Sequence, residues 1–81
     1  MGQQLKNIEL LSAVAKRLKN LRSERGLSQE VVYNDTDIHI ARIETGKFNI
    51  SISTLSALCS YYSISLGEFF STDFDSVHTK L

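Results

Sequence analysis

The 81 residues contain one cysteine, Cys59, so no disulfide can close within the chain, and a reducing compartment is the natural setting. No apolar run approaches the roughly 20 residues that cross a bilayer. The first residues lack the basic and apolar segments of a secretory signal, and Lys6 stands where a myristoylation signal carries serine or threonine. These absences predict a cytoplasmic protein with no membrane partner. Charge of one sign is missing too, since nine basic residues offset nine acidic ones, which leaves no global field to gather polyanions. A glycine-rich phosphate loop and paired metal-ligand spacings do not occur, and His39 and His78 lie far apart. No catalytic residue, cofactor or metal ligand is therefore assigned, and the expectation is that the chain is not an enzyme. Cys59 reads as a small buried hydrophobe.

What is present suffices for one small domain. Hydrophobic residues make up 42% of the chain, enough for a core at a length near the lower limit for unaided folding. Ile8, Leu11, Val14, Ala15, Leu18 and Leu21 recur at three- and four-residue steps opposite Lys16, Arg17, Lys19, Asn20 and Ser23, which predicts a long amphipathic helix. Asn7 can cap its start, and Gly26 can close it in a left-handed conformation. Ser28 then caps a short second helix from Gln29, which carries the poor helix formers Val31, Val32 and Tyr33.

Asn34, Asp35 and Thr36 supply turn chemistry, with Asp35 or Thr36 capping a third helix that Gly46 ends. After the loop KFNISIS, Ser51 or Ser53 opens a fourth helix whose inward face carries Leu55, Leu58, Cys59 and Tyr62. Ser65 caps a short fifth helix over 66–70, with Leu66, Phe69 and Phe70 as core candidates. The remainder is polar and reads as a tail without structure in isolation, carrying a weak stripe of Phe74, Val77 and Leu81.

On a helical wheel the third helix divides into two faces. Ile40 and Ile43 lie on one side with Glu44 at its edge, while Ile38, Arg42 and Thr45 lie on the other. Arginine can donate two hydrogen bonds to a guanine edge, and an apolar side chain can pack on a thymine methyl. A single exposed isoleucine is also ordinary on a protein surface.

Three blocks in order, LKNLRSERGLSQE at 18–30, ARIETGKFN at 41–49 and STLSALCSYYSISLGEFF at 53–70, give the chain a specific resemblance to the Cro/CI-type helix-turn-helix family, also called XRE-like or lambda repressor-like. The resemblance implies an all-α fold, a compact bundle of about five helices. Residues 1–7 would form a flexible extension, 8–70 the helix-turn-helix domain and 71–81 a C-terminal tail. It further implies a recognition helix over 36–45 that enters the major groove of double-stranded DNA.

Gln29 matches the family glutamine that bonds the DNA backbone, Asp37, Ile38 and Arg42 match positions facing base edges, and Lys47 and Asn49 match a loop that reaches phosphates. Thr36, His39 and Thr45 join them as candidate DNA-binding residues. Asp37 also has a structural explanation, because an acid in a first helical turn favours the helix dipole. Arg22 and Glu44 match a structural ion pair joining the first helix to the recognition helix. Between Gln29 and Glu44 the chain is roughly three residues shorter than the usual pattern, about one helical turn, a loss expected in the second helix or the turn.

The function implied is that of a sequence-specific transcriptional regulator, a repressor binding a palindromic operator as a homodimer, with regulation through concentration, a regulatory partner protein or the tail. The alternative is a protein-interaction module or antitoxin-like component that keeps the fold with little independent DNA binding. Zero net charge and the acidic start of the third helix favour the alternative.

Overall fold

Helices account for all the regular structure in the computed structural model, which describes residues 5–77; among the described residues there is no strand. Five helices follow in order, α1 (Ile8–Glu24), α2 (Gln29–Thr36), α3 (Ile40–Ile43), α4 (Ile52–Tyr61) and α5 (Leu66–Phe69). Four of them start on a polar cap whose side chain accepts a backbone N–H one turn in. Asn7 takes that of Leu10, Ser28 that of Val31, Ser51 that of Thr54 and Ser65 that of Glu68. Each such cap stabilises its helix by about 1 kcal/mol. The exception is α3, whose first flanking residue, His39, makes no side-chain cap bond.

Helix ends are closed as locally. After α1 the N–H of Leu27 donates to the Arg22 carbonyl and that of Gly26 to Ser23, a Schellman closure with Gly26 at φ +66°. The same pair of bonds ends α4, from Ile64 to Cys59 and from Ser63 to Ser60, with Ser63 at φ +59° in the place glycine usually takes. Arg25 reinforces both ends, since its Nε donates to the Tyr62 carbonyl and its Nη1 to that of Leu21.

One core joins all five helices. Val14, Leu18 and Leu21 from α1, Val32 from α2, Ile40 and Ile43 from α3, Leu55, Leu58 and Cys59 from α4, Tyr62 just beyond it and Phe69 from α5 are buried together. Burial in this apolar setting pushes the Cys59 thiol pKa up. The Tyr62 ring lies wholly inside, and its hydroxyl finds no hydrogen-bond partner among the described residues. No helix of the described residues is long and apolar enough to cross a membrane.

The structure corrects the sequence expectations at several points. Ile8 is 51% exposed, because it opens α1 before the helix reaches the core. Leu66 and Phe70 are each 39% exposed, since a single turn of helix can bury one side only, and in α5 that side belongs to Phe69. The third helix does not span 36–45: Thr36 ends α2, Asp37 closes it in a left-handed conformation at φ +62°, and α3 is one turn long. The second helix has eight residues and the third only four. Phe74 of the expected tail packs against the core, its ring 5.8 Å from Phe69 and 4.9 Å from Phe70. Leu81 and His78 lie outside the described residues.

Candidate nucleic-acid interface

Thr36 shows how this turn is built. Its hydroxyl donates to the Val32 carbonyl at 2.7 Å and accepts the Ile38 N–H at 3.1 Å. The side chain expected to cap α3 is thereby spent joining the end of α2 to the turn. The Asp37 N–H donates to the Tyr33 carbonyl at 2.7 Å, and the positive φ at Asp37 redirects the chain. Ile38 consequently lies half-buried against the core, where the helical wheel had placed it on the presented side.

From Ile40 the chain turns inward, and Ile40 and Ile43 are buried to 1% and 3% exposure. Their burial leaves Ala41 and Arg42 outward. The helix is held from beneath by apolar contact and from its C-terminal end by charge. Glu44, only 4% exposed, receives Arg22 Nε at 2.7 Å and Nη2 at 2.9 Å in a two-pronged ion pair. A third donor, the Gln29 side-chain amide, reaches the same carboxylate at 2.8 Å. The remaining prong of Arg22 donates to the Leu27 carbonyl at 2.8 Å. Hydrogen bonding to Glu44 holds the Arg22 pKa above its ordinary value. The end of α1, the start of α2 and the end of α3 thus meet at one carboxylate.

The outer surface carries Arg42, whose guanidinium lies 5.7 Å from the centre of the Phe48 ring. Thr45 donates its hydroxyl to the Arg42 carbonyl at 2.6 Å and accepts the Lys47 N–H at 3.3 Å, which shapes the exit of the helix. Gly46 follows at φ +78°, packed so closely on α1 that an added Cβ would stand 3.3 Å from the Ser12 backbone. Lys47 is exposed, and the Asn49 amide donates to the Leu5 carbonyl at 3.1 Å. The His39 ring sits 4.9 Å from that of Tyr33 across the mouth of an open cleft that Gln29 and Arg42 also line.

Arg42, His39, Asp37 and part of Ile38 border one surface, which Phe48 and Thr54 complete. Thr36 is turned into the turn itself, and Asn49 stands toward the N-terminal extension. Sequence reasoning overlooked Phe48 and Tyr33. Tyr33 sits one turn beyond Gln29 on α2, a helical spacing that relates the two; Phe48 lies in an irregular loop, where no periodicity marks it. Two acids lie near Arg42, Asp37 on this surface and Glu30 in the cleft with Gln29 and Tyr33. Asp35 is turned to α4, where it accepts the Tyr61 hydroxyl at 2.6 Å.

This geometry can present a cationic fork on a short, firmly anchored helix. Among the described residues no group of acids, histidines or cysteines is placed to hold a metal ion. A family profile described as a helix-turn-helix domain matches residues 15–72. The HTH-type transcriptional regulator PuuR of Escherichia coli (strain K12) is 42% identical over 62 residues, covering 73% of this chain and 34% of the relative. The protein of the same name from Shigella flexneri matches with the same identity and coverage. The chain spans about a third of the length of these curated relatives. No solved structure matches.

Proposed function

The chain belongs to the Cro/CI-type helix-turn-helix family, and from that premise we propose that it is a sequence-specific transcriptional regulator that acts as a repressor. It binds a palindromic operator as a homodimer, each subunit placing α3 in the major groove of one half-site, with half-site centres about 34–36 Å apart. The observation that carries this reading is Arg42, held outward on a turn of helix whose opposite side is locked by Ile40, Ile43 and the Arg22–Glu44 pair. A guanidinium so placed can take the O6 and N7 acceptors of guanine together.

Around it the other candidates divide their work. His39 and Asp37 flank the fork, Asp37 being able to accept from cytosine N4. Ile38 supplies apolar surface for a thymine methyl. Lys47, Thr45, Asn49 and Gln29 border the backbone, with Gln29 also bracing Glu44. The names of the two relatives, both transcriptional regulators, support the assignment.

Selection of bound duplexes from a random library by the full 81-residue chain tests it. An enriched palindrome with half-sites one helical turn apart is the expected result. A second reading, a protein-interaction module or antitoxin-like component, is favoured by Glu30 and Asp37, which place negative charge beside Arg42. No enrichment, together with no retention on heparin or random duplex at low salt, would select that reading, because phosphate contacts make binding salt-dependent.

A further inference from the structure

An arginine that reads a base edge must bring a flexible side chain to one orientation, and most of its rotamers aim the fork elsewhere. Glu44 orients α3 as a body, its carboxylate bonded to Arg22 and Gln29, while Arg42 is exposed on the outer surface. A neighbour that meets the Arg42 side chain is Phe48. Its ring lies 5.7 Å from the Arg42 guanidinium carbon and stays 38% exposed at the edge of the groove that Asp37, Ile38 and Thr54 also line. At that distance the ring attracts the guanidinium charge while offering its N–H groups no oxygen acceptor. The contact therefore holds the fork and leaves its donors for a base edge.

The backbone that carries the ring is held in place from both sides. Gly46, fixed at φ +78° against Ser12 of α1, starts the loop, and the Lys47 N–H donates to Thr45. Beyond the ring, the Ile50 N–H donates to the Phe48 carbonyl at 3.0 Å, just before Ser51 caps α4.

We propose that Phe48 is a positioning residue for base reading: it stacks on Arg42 and orders the guanidinium before DNA arrives, and so sets how sharply one guanine is distinguished. The role rests on the DNA reading above. It separates two functions within the loop after α3, Lys47 meeting phosphate by charge and Phe48 acting only through Arg42.

Phe48→Ala, Phe48→Tyr, Arg42→Ala and the parent chain are compared on the selected duplex and on its single-base variants at several salt concentrations. The ring is half exposed on a loop, so the alanine variant should melt as a folded protein, which circular dichroism checks. Phe48→Ala is expected to lose about two- to fivefold of discrimination, the range of an exposed cation–π contact, at the same base pair where Arg42→Ala loses it. The salt slope should be unchanged because no charge is removed, and Phe48→Tyr should restore discrimination. Uniform weakening on every sequence, or full discrimination without the ring, would overturn the role.

The free protein supplies an independent readout. The Arg42 side-chain protons should show ring-current shifts that vanish in Phe48→Ala and persist in Phe48→Tyr. If those shifts are absent the stack is wrong even where DNA binding holds. If they are present and no duplex is enriched, the DNA reading fails and the base-reading role falls with it, while the stack stands.

Discussion

Arg22 and Glu44, 22 residues apart, meet through two hydrogen bonds of 2.7 and 2.9 Å, with their side chains 13% and 4% exposed. A pair this buried gains little net stability over a well-packed apolar substitute, but removing one partner strands the other. Arg22→Ala is therefore expected to cost roughly 3 kcal/mol, measured by urea unfolding, whereas Arg22→Met combined with Glu44→Leu should recover most of the loss. An unchanged midpoint in Arg22→Ala would show that the pair does not hold α3.

Gly46 and Gly26 both have positive φ, but only Gly46 is crowded, with Ser12 3.3 Å from its notional Cβ and nothing within 4 Å of that of Gly26. Gly26→Ala should cost about 1 kcal/mol from backbone strain alone. Gly46→Ala should cost about 2 kcal/mol or more, because overpacking against α1 is added. Thermal melts of the two variants give the difference directly; equal losses would mean that α1 yields to the extra methyl.

Burial, followed by the Glu44 charge, pushes the Tyr62 phenol up to about 12, against about 10 in an unfolded chain. Because the folded pKa is the higher, the associated stability is complete below about pH 10 and is lost as pH rises through about 12. Tyr62→Phe should flatten the fall in the urea midpoint between about pH 9 and about pH 11.5. Tyr61, raised by its bond to Asp35, contributes in the same direction, so Tyr61→Phe is the companion measurement. Near neutrality Tyr62→Phe should cost nothing, or gain up to about 1 kcal/mol, since the hydroxyl is buried without a partner among the described residues.

Two substitutions on the outer surface separate reading from positioning. Arg42→Ala should lose about 1 to 3 kcal/mol on the selected duplex and relax preference at one base pair. Lys47→Ala should weaken all duplexes alike and lower the salt slope by about one. Titrations at several ionic strengths check both, and identical behaviour of the two variants would contradict the division.

How the chain starts and stops its helices was written in local sequence, because a cap needs only a side chain and a backbone N–H three residues away. Asn7, Ser28 and Ser65 could be assigned on that basis, as could the glycines at 26 and 46. The inward stripes of α1 and α4 were legible for the same reason, since 3.6-residue periodicity records burial directly. The pairing of Arg22 with Glu44 came from family resemblance instead; periodicity alone placed Glu44 only at the edge of the buried face.

The boundary between α2 and α3 was another matter. Asn34, Asp35 and Thr36 can each cap, turn or end a helix, and the choice depends on where the Thr36 hydroxyl bonds. The wheel assumed one continuous helix through Ile38, so the left-handed step at Asp37 carried Ile38 out of register and toward the core. A one-turn helix lacks the internal bonds to stand by itself, so α3 exists because Ile40 and Ile43 are buried and Glu44 is tied to Arg22 and Gln29. The sequence by itself determined the helical class, the caps and the inward faces, all set by neighbours within a turn or two. Only the tertiary structure decided how short α3 is, which side chains it presents and that Phe48 meets Arg42, because those depend on contacts between segments whose separation no local pattern encodes.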